Sequence, residues 1–188
     1  MDDVRALFGR ALDWFGTNVH AVADDQWRLP TPCSEWDVRE LVNHLVGETR
    51  WMPPLLEGKT IAAAGEALDG DLLGGDPNGA WDDAAREAVT AVREDGAMDR
   101  TVHLSFGDFP GSEYAFQVLT DLLIHGWDLA RAIGAEDRMD PELVEVVDER
   151  SRPVMPAMKA SGQFGSDVAP PQGADRQTAL LAMFGRTV

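Results

Sequence analysis

The chain has 188 residues, with 16 Lys+Arg against 33 Asp+Glu and a formal net charge of −17; so acidic a surface repels phosphate backbones and anionic lipid, which argues against a nucleic-acid partner. Hydrophobic residues make up 44% and charged residues 26%, which suits one well-filled core and excludes collagenous, disordered and membrane-embedded classes. No run approaches the roughly 20 apolar residues that span a bilayer, and the start MDDVRALFGR lacks the basic-then-apolar order of a signal peptide, so a cytoplasmic protein without membrane attachment is expected.

Cys33 is the only cysteine. That rules out an intrachain disulfide, a cysteine-cluster zinc site and a CxxC pair, so any metal must be held mainly by His, Asp and Glu.

In chain order, Val4, Leu7, Phe8, Ala11, Leu12, Phe15, Val19 and Val22 recur at three- and four-residue steps and predict a first amphipathic helix from Asp2 to about Asp24. Trp27 to Cys33 holds Pro30 and Pro32 and reads as non-helical. Ser34 followed by Asp37 resembles a capping box opening a second helix, whose buried face is Val38, Leu41, Val42, Leu45 and Val46. Pro53-Pro54 is expected to end or kink it. Residues 58 to 80 are rich in glycine and read as a long loop around a short Ala-rich piece, of the kind that covers a site or moves.

A third helix is predicted from about Ala80 to Glu94, with Trp81, Ala84, Ala85, Ala88, Val89 and Val92 on one side. Val102, Leu104 and Phe106 alternate within Thr101 to Phe109, as in an extended segment or hairpin arm. The longest helical pattern, about Ser112 to Ile133, stops at Gly134 in the position of a C-terminal cap. Asp140-Pro141-Glu142 starts a fifth helix that Pro153 or Pro156 disturbs. A linker from Gly162 to Gly173 precedes a last short helix, Ala174 to Phe184. The sum is an all-α helical bundle.

Of the four histidines, His44 and His125 lie within strongly apolar helices. Asp121 and His125 are four residues apart, which leaves them about 40° apart on one helix face, one turn above the other. Such a pair is either a hydrogen-bonded helix face or a two-ligand clamp for a divalent cation; the apolar flanks favour the clamp, because an unpaired carboxylate among them is costly. If the second and fourth helices are neighbours, His44 supplies a third ligand, and three protein ligands with an open position describe a catalytic metal site. Otherwise His44 is a core histidine.

Asp128 either competes with Asp121 or orients an imidazole, and Glu48, one turn beyond His44, carries the same ambiguity. His20 and His103 sit among polar neighbours and are not read as ligands. Cys33 reads as packed between loop and bundle, and Trp51 and Trp127 as candidate walls of a pocket. The acidic stretches Asp69 to Asp76 and Glu142 to Glu149 are solvated surface.

The stretch from Trp27 to Gly47, WRLPTPCSEWDVRELVNHLVG, resembles the DinB-like bundle proteins, and more narrowly the N-terminal metal-binding domain of mycothiol-dependent maleylpyruvate isomerases and its single-domain relatives. Asp121 to Ala132, DLLIHGWDLARA, resembles the second ligand helix of that group, and Leu180 to Arg186 its single-domain tail. The resemblance implies one domain over 1–188, an up-down-down-up four-helix bundle over about 1–135 with short additional C-terminal helices over about 136–188. It implies a metal, commonly zinc, on His44, Asp121 and His125; nickel, iron and manganese tolerate the same donors.

Two departures matter. The isomerase has glutamate where this chain has Asp121, and it carries a further C-terminal domain where only about 50 residues follow the fourth helix here. Maleylpyruvate isomerisation itself is therefore not assumed; the function expected from the ligand set and the resemblance is a metal-dependent thiol transferase or isomerase with mycothiol as co-substrate of a small molecule, as a monomer or homodimer. The alternatives are a metal-dependent hydrolase with Asp128 or Glu48 as base, and a non-catalytic binding module.

Overall fold

The computed structural model describes residues 3–34, 36–64, 70–160 and 168–188. Its elements are helices α1 (Val4–His20), α2 (Val38–Leu56), α3 (Ile61–Ala64) and α4 (Pro77–Arg93), strands β1 (Thr101–Leu104) and β2 (Gly107–Pro110), then helices α5 (Gly111–Ile133), α6 (Pro141–Ser151), α7 (Met155–Ala160) and α8 (Arg176–Met183). The two strands form one antiparallel hairpin in which Val102 faces Phe109 and Leu104 faces Gly107. The fold is all-α apart from that hairpin.

Local chemistry sets the helix ends. Asp3 accepts a hydrogen bond from the Arg5 amide and starts α1, which stops at His20, short of the predicted Asp24. The cap of α2 is Asp37, not Ser34: its carboxylate accepts from the Glu40 amide at 2.9 Å, and the Glu40 carboxylate accepts from the Asp37 amide at 2.9 Å. The reciprocal pair needs a Glu or Gln three residues after the cap, which Asp37 has and Ser34 lacks. The preceding turn is held by the Thr31 hydroxyl, which donates to the carbonyls of Cys33 and Trp36. Asp37→Ala is expected to lower unfolding free energy by about 1 kcal/mol, read from urea denaturation midpoints at unchanged slope.

Helix α2 runs through Pro53 and Pro54 and ends two residues later, at Leu56. The Pro53 and Pro54 carbonyls still accept from the amides of Glu57 and Lys59; what the prolines remove is the two amides that would have bonded the carbonyls of Thr49 and Arg50, one turn earlier. Helix α4 starts at Pro77, three residues before the predicted Ala80, because Asp76 caps it through the Gly79 amide. Gly134 ends α5 at φ 73°, a left-handed cap.

Named contacts fix the directions of the four long helices. Arg5 donates to the Val92 carbonyl at 3.0 Å and Phe15 packs on Trp81, so α1 and α4 are antiparallel. Arg39 reaches the Gly74 carbonyl just before α4, while Pro53 and Leu56 line a surface hollow with Thr90 and Ala91; α2 and α4 are parallel. His44 meets Asp121 and Leu56 meets Gly111, so α2 and α5 are antiparallel. The order is up-down-down-up, and it makes α2 and α5 neighbours.

The core runs along all four, with Phe8, Phe15, Leu41, Leu45, Trp81, Leu119, Leu122 and Leu123 fully buried. Leu143, Val147, Leu180 and Leu181 of α6 and α8 join the same cluster. Ion pairs from Arg10 to Asp140 and Glu142 tie the start of α6 to α1. In the 58–80 stretch, Asn43 and Arg39 hold residues 70–74 against α2; residues 65–69, and 162–167 of the expected linker, lie outside the described residues. No described helix is long and apolar enough to cross a membrane.

Candidate metal centre

The seventh residue of capped α2, His44, and the middle of α5 converge at one edge of the bundle. Nε2 of His44 lies 3.0 Å from Oδ2 of Asp121, and Nε2 of His125 lies 3.4 Å from Oδ1 of the same carboxylate. One ligand atom from each residue fits within 4.8 Å of the others. Two imidazole nitrogens and a carboxylate oxygen form a donor set suited to a divalent ion of zinc type. The side chains of His44 and Asp121 keep 28% and 36% of their surface exposed, so one side of the triad opens to solvent.

Asp128, fully buried, accepts a hydrogen bond from Nδ1 of His125 at 3.0 Å. It therefore orients His125 and does not compete with Asp121. Its other partner is Arg186, whose Nε and Nη2 donate to the carboxylate at 3.2 and 2.6 Å. Burial works against the Asp128 charge, yet His125 and Arg186 hold its carboxyl below the usual range. Burial likewise opposes ionisation of Asp121, but His125 and His44 hold its pKa far down. Burial also opposes charge on His125, and the carboxylates of Asp121 and Asp128, one at each ring nitrogen, outweigh it and push the pKa up to about 9. Two carboxylates thus flank the His125 ring, Asp121 at one nitrogen and Asp128, itself paired with Arg186, at the other.

The aromatic wall is Trp36, whose ring centroid lies 4.5 Å from His44 and 5.4 Å from His125. Trp51 and Trp127 were the sequence candidates for that role. Trp127 points instead into the core, 1% exposed, under Arg131, and Trp51 packs at the margin of the core. Periodicity marks neither Trp36 nor Arg186, because both stand outside the long helices, although both fall within the stretches that carry the sequence resemblance.

Cys33 lies half-buried between the loop and the bundle, within 4.8 Å of ligand atoms of His125 and Asp128. That second cluster is a poor cation site, since the Arg186 guanidinium already occupies the Asp128 carboxylate. His20 pairs with Asp82 at 3.0 Å and His103 with Asp108 at 2.8 Å, both half-exposed and outside either cluster.

Glu48 faces the same centre: burial, then the negative charge of Asp121, pushes its carboxyl pKa up. Beside it the Tyr114 hydroxyl is buried without a hydrogen-bond partner, and burial, then Glu48, pushes its pKa up strongly. A buried hydroxyl that makes no bond contributes nothing to stability. Tyr114→Phe is expected to leave the unfolding free energy unchanged or to raise it by up to about 1 kcal/mol, measured by urea denaturation.

A model of the family described as "Mycothiol maleylpyruvate isomerase N-terminal domain" matches residues 8–130, a span that holds His44, Asp121, His125 and Asp128 but not Arg186. Two proteins of Mycobacterium tuberculosis, "Uncharacterized protein MT0763" of strain CDC 1551 / Oshkosh and "Uncharacterized protein Rv0738" of strain ATCC 25618 / H37Rv, are each 33% identical over 190 residues, covering 95% of this chain and 95% of their own. No solved structure gives a significant match. With its up-down-down-up bundle and a match over most of its length, the chain belongs to the mycothiol maleylpyruvate isomerase N-terminal domain family.

Proposed function

We propose that the protein holds a divalent metal, zinc foremost, on Nε2 of His44, the Asp121 carboxylate and Nε2 of His125, and uses it for thiol chemistry of the transferase or isomerase type. The co-substrate is a low-molecular-weight thiol such as mycothiol, and the second substrate a small electrophile. The observation that carries this reading is the meeting of two imidazole nitrogens and one carboxylate within 4.8 Å at an edge where Asp121 and His44 remain open to solvent.

A bound divalent metal lowers the pKa of a sulfur ligand and holds it as thiolate at neutral pH. The chain's own residues shape the rest. Asp128 keeps the His125 ring aimed by accepting its Nδ1–H, and Trp36 closes one side of the imidazole pair against water. Glu48, whose carboxyl pKa is pushed up by burial and the Asp121 charge, is the candidate proton carrier of this reading.

The test is elemental mass spectrometry on untagged protein, followed by calorimetric titration of mycothiol into metal-loaded and EDTA-stripped samples, with product analysis over a panel of electrophiles. Near-stoichiometric metal, mycothiol binding that vanishes on stripping, and thiol-dependent turnover are expected. Metal-loaded protein that neither binds nor consumes mycothiol sinks the thiol reading, and solvent oxygen in the product makes the enzyme a hydrolase.

A further inference from the structure

The C-terminal tail takes part in the centre although it lies beyond the matched residues 8–130. After α8 the chain reverses at Gly185, φ 82°, with the Arg186 amide bonded to the Leu181 carbonyl at 2.9 Å. This turn aims the Arg186 side chain inward, where it is 15% exposed. Its Nη1 donates to the Phe184 carbonyl at 2.7 Å, which fixes the guanidinium plane, and Nε and Nη2 form a two-pronged contact with the wholly buried Asp128 carboxylate. Asp128 in turn takes the Nδ1–H of His125.

We infer that Arg186 is a positioning residue of the metal centre: through Asp128 it holds the His125 ring with Nδ1 protonated and Nε2 facing Asp121 and His44. This rests on the metal reading above. A carboxylate can hold an imidazole at a fixed angle only if it is itself held, and the planar fork of arginine fixes both carboxylate oxygens where a lysine fixes one. Partners of this kind set ligand tautomer and aim, and their loss typically weakens metal binding about 10- to 100-fold. The bundle and the C-terminal segment thereby form one working unit.

The experiment is competitive Zn²⁺ titration against a chromophoric chelator, with the cobalt-substituted visible spectrum as a second readout, on wild type, Arg186→Gln, Arg186→Lys, Asp128→Asn and the Arg186→Gln/Asp128→Asn double variant. Circular dichroism of the metal-free proteins verifies folding, and Arg186→Lys preserves the buried charge should Arg186→Gln unfold. Arg186→Gln is expected to lose about 10- to 100-fold in zinc affinity and to change the cobalt spectrum, with Arg186→Lys recovering part. The double variant is expected to lose no more than Asp128→Asn alone, because both act on one ring. A merely structural role lowers the melting temperature but leaves zinc affinity and spectrum at wild-type values, and that result overturns the inference, as do additive losses in the double variant. A wild type that binds no zinc overturns the metal reading and this inference together.

Discussion

His125→Ala is expected to lower zinc affinity at least about 100-fold and to leave the purified protein without stoichiometric metal. Zinc bound by small protein sites is held by at least about 10 kcal/mol, so removing one of three ligands forfeits about 3 kcal/mol, roughly two decades in affinity. The loss at His125 exceeds that at His44, because His125 alone sits between two carboxylates, Asp121 on one nitrogen and Asp128 on the other. Its removal leaves the two acids facing a vacated space, with Asp121 still in contact with His44 and Asp128 still paired with Arg186. His20→Ala and His103→Ala, which touch only exposed pairs with Asp82 and Asp108, are expected to keep wild-type metal content. Elemental analysis and chelator competition decide the matter; stoichiometric metal retained in both His44→Ala and His125→Ala would show that the ligands lie elsewhere.

Gly111→Ala is expected to destabilise the fold by about 3 kcal/mol, a drop of about 10 °C in melting temperature for a chain of this size. A Cβ there would lie 2.0 Å from the Ala97 carbonyl oxygen and 3.0 Å from Leu56 Cδ2. The first of these is backbone and cannot swing aside. The Gly111 amide donates to the Arg100 carbonyl and the Ser112 amide to the Met98 carbonyl, each at 2.8 Å, so the 97–100 turn and the start of α5 are bound together at the point of contact. Relief requires shifting α5 or breaking those bonds. By contrast, a Cβ on Gly9 meets nothing within 4 Å, and Gly9→Ala inside α1 is expected to add about 0.5–1 kcal/mol. Equal thermal melts for the two variants would contradict this account.

The i,i+4 spacing of Asp121 and His125 is legible in the sequence because a helix converts it into one face without reference to any other element. The helix boundaries are legible where a local cap declares them, as Asp140 and Gly134 do, and less so before α2, where the sequence reads Ser34 as the cap and Asp37 as its box partner, while the Glu40 carboxylate reaching back to the Asp37 amide makes Asp37 the cap. Pro53 and Pro54 mark the end of α2 to within two residues. A proline's cost falls on the turn before it, where the carbonyl four residues earlier loses its donor, and here α2 continues only as far as Leu56.

The bundle class, the extended character of the stretch between the third and fourth long helices, and the shared face of Asp121 and His125 were determined by the sequence itself, through periodicities that act within one turn or one strand. The tertiary structure decided the rest of the site. His44 meets Asp121 only because the up-down-down-up order lays α2 antiparallel against α5, a choice no single helix encodes. Trp36 arrives from a loop, and Arg186 from a tail 58 residues beyond its partner Asp128. Contacts of that range depend on how whole elements bury their apolar faces against one another, and side-chain spacing along the chain carries no record of it.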